Sequence, residues 1–298
     1  MKKNYLLGII FLFCSFVNNI QAQKQEMEKQ NDVITFAIGN YEITTLSEGQ
    51  NDGNVKILID ASPEMLQKYA PEGTYPAATN AFFVKTPDKN ILIDAGYGKK
   101  LFDNLQSRNV TVEKVDIILL THMHGDHIGG LLKDGKVMFP NAELYIAQAE
   151  HDYWMGDNAR GVQARAVIEA YKDKLHLFTS AEIEVGGLEL FPGLHAIAAY
   201  GHTPGHTAFL IESDGTKMLV WGDLTHAMSI QMPHPEIAVT YDSDPIQAIA
   251  YRKKIFEYVV SNKIPIAGMH IVFPAVGNVK KEKDGKYSFE AFCLHLGL

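Results

Sequence analysis

The chain has 298 residues, is 46% hydrophobic and 21% charged, and carries a formal net charge of −8. That composition supplies a sizeable core and belongs to a folded globule rather than to a disordered or fibrous chain. An acidic balance without a basic run is the wrong surface for neutralising phosphates, which argues against a nucleic-acid partner.

Lys2 and Lys3 are followed by an apolar run from Tyr5 to Val17, and Ala22 supplies a small residue at a cut point. The run is too short to span a bilayer, so the pattern predicts a cleavable secretory signal over residues 1–22. The expectation is a secreted or periplasmic protein with no stable membrane anchor, its net charge becoming −10 once Lys2 and Lys3 leave. Residues 23–298 show no repeat or linker and read as one domain. Of the two cysteines, Cys14 leaves with the signal. Cys293 remains alone among Phe289, Phe292 and Leu294 as an apolar residue, so no internal disulfide braces the domain.

Val33–Ile38 and Tyr41–Leu46 are rich in β-branched and aromatic residues around Gly39-Asn40, which predicts a hairpin. Ser62-Pro63-Glu64 predicts a capped helix running to about Tyr69. Ala81–Lys85 and Ile91–Asp94 flank the turn residues Pro87 to Asn90, a second hairpin. The apolar run Val115–Leu120 has the look of a strand buried on both faces. Further strands are expected at Leu144–Ile146, Leu188–Phe191, Leu194–Ala198, Thr207–Ile211, Met218–Trp221 and Ile264–Met269. Asp244-Pro245-Ile246-Gln247 opens a helix whose core stripe is read as Ile246, Ile249, Phe256, Val259 and Val260.

The strongest chemical signal follows the strand at 115–120: His122, His124, Asp126 and His127 within six residues. Residues two apart on an extended segment point the same way, so His122 and His124 can converge on one ion. Gly125 then lets the backbone turn, bringing Asp126 and His127 toward a second position. Imidazole and carboxylate suit zinc and similar borderline ions. His202, Asp223 and His270 each end an apolar run, where a rigid scaffold mounts chemical groups.

The HxHxDH cluster at 122–127, the GHTPGH segment at 201–206, WGD at 221–223 and GMH at 268–270 resemble the metallo-β-lactamase superfamily from about Phe82 to Pro274. The stretch GHTPGHTAFLIESDG through GDL, with the segment from DSDP to HIVFPAVG, is similar to methyl parathion hydrolases and their secreted relatives. N-acyl homoserine lactonases share the metal motif. The resemblance implies an α/β fold, an αββα sandwich of two mixed sheets flanked by helices, with the site at one edge. It also implies two divalent metal ions per chain, with zinc the expected metal. Carried over by position, His122, His124 and His202 match the ligands of one ion, Asp126, His127 and His270 those of the other, and Asp223 the bridging carboxylate. His206 matches a supporting residue, while His151, His176, His195, His234 and His295 match no ligand.

The implied chemistry is attack on a carbonyl or phosphorus centre by a hydroxide shared between the ions. Asp126 is a candidate for steering the proton to the leaving group. His226 stands three residues after Asp223, the offset at which several of the lactonases carry a tyrosine that touches the substrate carbonyl. It either donates a hydrogen bond there or is an exposed loop histidine. An aspartate bridge argues against β-lactam hydrolysis. The tail after Pro274 is too short for the helical substrate domain of the glyoxalase II-like thioesterases, and nuclease branches need a basic surface. A small, fairly apolar lactone or ester remains, first of all an N-acyl homoserine lactone, which would make the protein quorum quenching. An organophosphate or aryl ester comes second. A noncatalytic metal- or ligand-binding module is the alternative of another class, against which the complete ligand set stands. A homodimer is compatible with this reading. Trp154, Met155, Trp221, Met228, Ile230 and Met232 are candidates to line an apolar pocket, although Trp221, inside a strand, fits ordinary core better.

Overall fold

The computed structural model describes residues 32–157 and 159–292. The expected signal at 1–22, Cys293 and His295 lie outside the described residues. Among those described, fourteen strands form two seven-stranded sheets, each laid down in chain order. The first holds β1 (Val33–Ile38), β2 (Tyr41–Asn54), β3 (Thr74–Lys85), β4 (Asn90–Ile93), β5 (Ile117–Leu119), β6 (Glu143–Ala147) and β7 (Leu175–Phe178). β1 to β4 pair antiparallel, and β4 to β7 pair parallel. The second holds β8 (Leu188–Phe191), β9 (Leu194–Ala198), β10 (Thr207–Ser213), β11 (Thr216–Val220), β12 (Ile266–Ala267), β13 (Val276–Lys281) and β14 (Tyr287–Ala291). Only β11 and β12 pair parallel in it. Both sheets are therefore mixed, as the resemblance implied.

The helices are α1 (Pro63–Tyr69), α2 (Leu101–Ser107), α3 (Gly125–Ile128), α4 (Gln148–Met155), α5 (Val162–Ala170), α6 (Met228–Gln231) and α7 (Pro245–Asn262). Strand periodicity sorts the first sheet's residues into two cores. Phe82, Val84, Ile91, Ile93, Ile117 and Leu119 face the second sheet, while Ala81, Phe83, Leu92 and Ile118 face the helical layer of α2, α4 and α5. On the far side α7 covers the second sheet through Ile255, Phe256 and Val259, with Phe256 stacked on Trp221 at 5.6 Å. The layers run helix, sheet, sheet, helix.

The hairpin at Gly39-Asn40 forms in the expected register, Ile38 opposite Tyr41 and Val33 opposite Leu46. α1 is capped by the Ser62 hydroxyl, which accepts from Met65 N at 3.2 Å, and α7 by Asp244, which accepts from Gln247 N at 3.0 Å. The stripe read on α7 holds at Phe256, Val259 and the partly buried Val260 and is corrected at its start. Ile246 is 82% exposed, and the inward face is Ala248, Arg252, Ile255, Phe256 and Val259. A buried arginine sits where the pattern has no apolar residue, so counting apolar side chains placed the face wrongly. Two strands are also shorter than expected. Ile117–Leu119 replaces Val115–Leu120 and Ile266–Ala267 replaces Ile264–Met269, because the flanking residues leave the ladder to carry loops.

β2 runs well past the expected Leu46. After a bulge between Ser47 and Gly49 it continues beside β3 as a ribbon, from Gly49 opposite Thr79 to Asn54 opposite Thr74. α1 and the paired segments Leu58–Ile59 and Ala238–Val239 back this ribbon with a third apolar cluster that includes Tyr75, Ala227, Ile230 and Ile237.

Candidate metal centre

Every loop of the motif leaves the same edge of the two sheets. His122 follows β5, His124 precedes α3, and Asp126 and His127 lie in α3. His202 sits between β9 and β10, Asp223 just past β11, and His270 between β12 and β13. The seven residues selected from the sequence come together. His124 Nδ1 is 2.9 Å from both His122 Nε2 and His202 Nε2. Asp223 Oδ2 lies 2.9 Å from His270 Nε2, 3.3 Å from His202 Nε2 and 3.6 Å from His122 Nε2, while its other oxygen is 3.1 Å from His127 Nε2. Asp126 closes the second group, 3.8 Å from His127 Nε2 and 3.5 Å from His270 Nε2. Two donor groups result, His122–His124–His202 and Asp126–His127–His270, and Asp223 faces both.

The outer nitrogens of these rings are occupied. His127 Nδ1 is 2.6 Å from Asp94 Oδ2, His202 Nδ1 is 2.9 Å from Asp242 Oδ1, and His270 Nδ1 donates to Ala78 O at 2.9 Å. An imidazole whose Nδ1–H is bound this way presents the lone pair of Nε2, the form a metal takes. Inward, nitrogens face one another at 2.9 Å, and buried His127 Nε2 and Asp223 Oδ1 lie 3.1 Å apart, outside hydrogen-bond geometry, with no other hydrogen-bond partner. Imidazole nitrogens and carboxylate oxygens packed this closely around common points fit cations held between them. Burial pushes the His122 pKa well below normal and that of His124 to about 3, which leaves both imidazoles neutral, the form that can hold a metal. Burial would raise the Asp223 pKa, but His127, His270 and His122 hold it well below the usual carboxylate range.

His226 is buried, not an exposed loop residue. Its ring stacks on His270 at 4.8 Å, and Nε2 is 3.1 Å from Asp223 Oδ2. Gln231 Oε1 fixes the turn by accepting from the backbone N–H of His226 and Ala227. Burial lowers the pKa of His226 to about 4, so it is a neutral imidazole. His206 supports the centre as expected. Its Nδ1 donates to Ala199 O, and its Nε2 accepts from Asp223 N at 2.9 Å. Gly222 makes room for that contact, since a Cβ there would lie 2.4 Å from His206 Nε2 and φ is +60°. Of the histidines set aside, His151, His176 and His234 pair with surface carboxylates at 2.7–3.0 Å.

Four buried charged residues behind the centre escaped the sequence reading. Asp94 accepts from Thr121 N and Oγ1 at 2.8 and 2.7 Å besides meeting His127. It ends the apolar run Ile91-Leu92-Ile93, so the strand-end rule that picked Asp223 would have found it. Glu150 of α4 accepts from Met123 N at 2.9 Å, Gly205 N at 3.2 Å and the Trp154 indole, tying the two histidine loops together. Arg252 donates to Leu224 O, Pro235 O and Ile237 O at 2.6–3.0 Å, with Asp242 Oδ2 3.9 Å away. These partners are distant in sequence, and no local pattern marks them.

The centre opens into a cleft of about 280 Å³. Asn51, Gly53, Tyr75 and Ala77 of the ribbon form one side, and Tyr97, Tyr241 and His226 flank Asp126 and His270 on the other. The expected apolar lining is corrected, because none of its six members borders this cleft. Trp154 is core against His124 at 5.5 Å, Trp221, Ile230 and Met232 are buried, and Met155 faces solvent. The ribbon that replaces them forms only when β2 and β3 pair beyond Ser47. Its cleft-facing residues carry no apolar stripe for a sequence reading to find.

Residues 74–261 match the family model of the metallo-beta-lactamase superfamily, and the chain belongs to that superfamily. Its fold superposes on the hydrolase AbOPH of the beta lactamase superfamily with a TM-score of 0.77 at 28% identity, covering 88% of this chain and 98% of that one. AidC, a dizinc quorum-quenching lactonase solved with a hexanoyl-homoserine product, gives a TM-score of 0.78 at 25% identity over the same shares. The protein YobT of Bacillus subtilis (strain 168) is 32% identical over 145 residues, 48% of this chain and 60% of its own length. The family and the donor set together define a metal-dependent hydrolase fold with a site for divalent ions.

Proposed function

We propose that the protein is an exported hydrolase with two divalent metal ions, probed best as zinc, that opens small uncharged lactones, N-acyl homoserine lactones foremost. One observation carries this reading. Two imidazole–carboxylate donor groups meet at Asp223, and two of their members, Asp126 and His270, line a cleft whose lining contains no lysine or arginine. A site for anionic substrates such as nucleic acid or glutathione conjugates would place cations there. The likeness to the lactonase AidC supports the lactone over other neutral electrophiles. Export rests on the pattern of residues 1–22, and a mature N-terminus near Gln23 by mass spectrometry is its check.

Bound ions at these donors supply Lewis acidity and bring the pKa of coordinated water to about 7. The chain's own residues then divide the remaining work. Asp126 is held ionised, since His127 and His270 outweigh the effect of its burial. Its carboxylate faces the cleft and takes up the proton released on attack, then passes it to the alkoxide leaving as the acyl C–O bond breaks. Neutral His226 donates its Nε2–H to Asp223 Oδ2 at 3.1 Å and so holds the carboxylate that faces both donor groups, while its ring edge lines the cleft where the substrate carbonyl would enter. Water is consumed and a hydroxy acid leaves. The test is turnover by zinc-loaded protein of acyl homoserine lactones, an aryl ester, paraoxon and a cephalosporin. Lactone hydrolysis as the fastest reaction is the expected result. Preference for the aryl ester or paraoxon moves the assignment to the organophosphate and aryl-ester branch. Two bound metals with no turnover at all favour a binding module.

A further inference from the structure

Tyr75 stands apart from the other polar groups of the cleft. On the ribbon it lies directly opposite Gly53, two residues from Ala77, and it is the one large side chain on that face beside Asn51 and Gly53. The register gives its ring the space above Gly53. A Cβ at that glycine would fall 2.3 Å from Tyr75 Cζ and 2.8 Å from its hydroxyl. The residue is only 5% exposed and its ring packs into the cluster with Ala70, Ala227, Ile230 and Ile237. Its hydroxyl nevertheless makes no hydrogen bond to any described residue, while the side chain lines the same cleft as His226 and His270. Tyr97 and Tyr241 also line it, but both are about half exposed and water serves their hydroxyls from outside.

A ligand that fills the cleft displaces water from the Tyr75 hydroxyl and must return a hydrogen bond in its place. With no cation in the lining, the group best matched to a neutral phenol is a carbonyl oxygen. We propose that Tyr75 positions the substrate by donating a hydrogen bond to a second carbonyl, an amide or ester oxygen that the substrate carries beside the bond being broken. This rests on the ester or lactone reading above. Burial, with the neighbouring Tyr241, pushes the phenol pKa up to about 12, so the donor persists through the working pH range.

The test pairs two lactones of equal chain length, N-hexanoyl homoserine lactone and an alkyl lactone without the amide, on zinc-loaded wild type and Tyr75→Phe. The substitution keeps the ring and its packing, and an unchanged melting temperature and metal content verify that. The expected result is KM raised about tenfold for the amide-bearing lactone with kcat nearly constant, and no change for the alkyl lactone. Equal effects of Tyr75→Phe on the two lactones, or none, overturn the proposal. If wild type hydrolyses neither lactone, the functional reading fails by itself, and calorimetric binding of the same pair decides on Tyr75. Amide-selective loss of affinity in the variant upholds it, while equal affinity or no binding ends it.

Discussion

One wall of the cleft is built from strand-end loops and the other from a two-stranded ribbon, and the two are held by different physics. The loop side holds the donors His122, His124, Asp126, His127, His202, Asp223 and His270, of which Asp126 and His270 line the cleft, and behind them lie Asp94, Glu150, Asp242 and Arg252, all nearly inaccessible to solvent. Each of those charges is spent on hydrogen bonds that fix a ligand or its loop. The ribbon wall is braced by apolar packing against α1 and α6; it meets the donor cluster through one backbone group, Ala78 O, which accepts from His270 Nδ1, and its Tyr75 hydroxyl has no partner among the described residues. Buried charge networks fix geometry and tolerate little change, because removing one partner strands the other. An apolar-backed ribbon with unpaired hydroxyls tolerates substitution and is suited to setting what the site accepts. Substitutions of the donor residues and of the buried charges behind them should therefore disturb metal binding, and side-chain substitutions at the cleft-facing tyrosines should disturb only substrate.

The largest expected effect tests the loop wall at its centre. Asp223→Asn keeps the size but removes the charge that faces both donor groups. We expect loss of at least one metal by elemental analysis and a fall in turnover of roughly 10²-fold or more, as for loss of a principal charge stabiliser. Two metals retained with near-normal turnover would break the comparison at its strongest point.

A smaller effect is expected one residue further out, with a defined pH dependence. Burial works against charge on His202, but hydrogen bonds with Asp223 and Asp242 outweigh it and raise the pKa to about 9. In the metal-free protein His202 is thus protonated at pH 7, and binding an ion must expel that proton. Affinity for zinc should rise with pH until about 9, by up to tenfold per unit for one proton. Asp242→Asn removes one of the groups that hold the proton, so His202 loses it at lower pH. The variant's affinity should fall about 10–100-fold where His202 is already neutral, above pH 9. The deficit should narrow toward pH 7, where proton competition hinders wild type more. Competition with a chromophoric chelator from pH 6 to 10 measures both curves, and parallel curves would count against the Asp242–His202 coupling.

The same division explains what could be read in advance. The ligand set is legible because three histidines and an aspartate within six residues are improbable as ordinary core, and His202, Asp223 and His270 each end an apolar run. The sheets are legible from alternation, as Phe82/Phe83 and Leu92/Ile93 divide between two cores. Arg252 and Asp242 are not, because a buried charge contradicts the apolar pattern that locates a buried face, and that contradiction also misplaced Ile246. Glu150 is invisible because its partners Met123 and Gly205 are 27 and 55 residues away. The cleft lining was misread for a related reason. The sequence places large apolar residues near the motifs, but folding uses them as core and brings Tyr75 and Tyr241 in from separate segments.

Tyr241→Phe is expected to have the smallest effect and separates a cleft-facing hydroxyl from the buried charge next to it in the chain. Tyr241 precedes Asp242, the residue that holds His202, yet its own ring is 48% exposed at the cleft mouth and its hydroxyl bonds to no described residue. Removing an exposed, unpaired hydroxyl should leave stability within about 0.5 kcal/mol. Metal content should remain that of wild type, since the Asp242 contacts to His202 and Val239 N pass through its own carboxylate and not through the tyrosine. KM should change by no more than about threefold, because water that leaves this hydroxyl when substrate enters is replaced from bulk at little cost. Melting temperature, metal content and KM on one preparation suffice. If Tyr241→Phe sheds metal, then a cleft-mouth hydroxyl helps to hold the centre, and the division between buried charges that fix the donors and free hydroxyls that meet substrate fails.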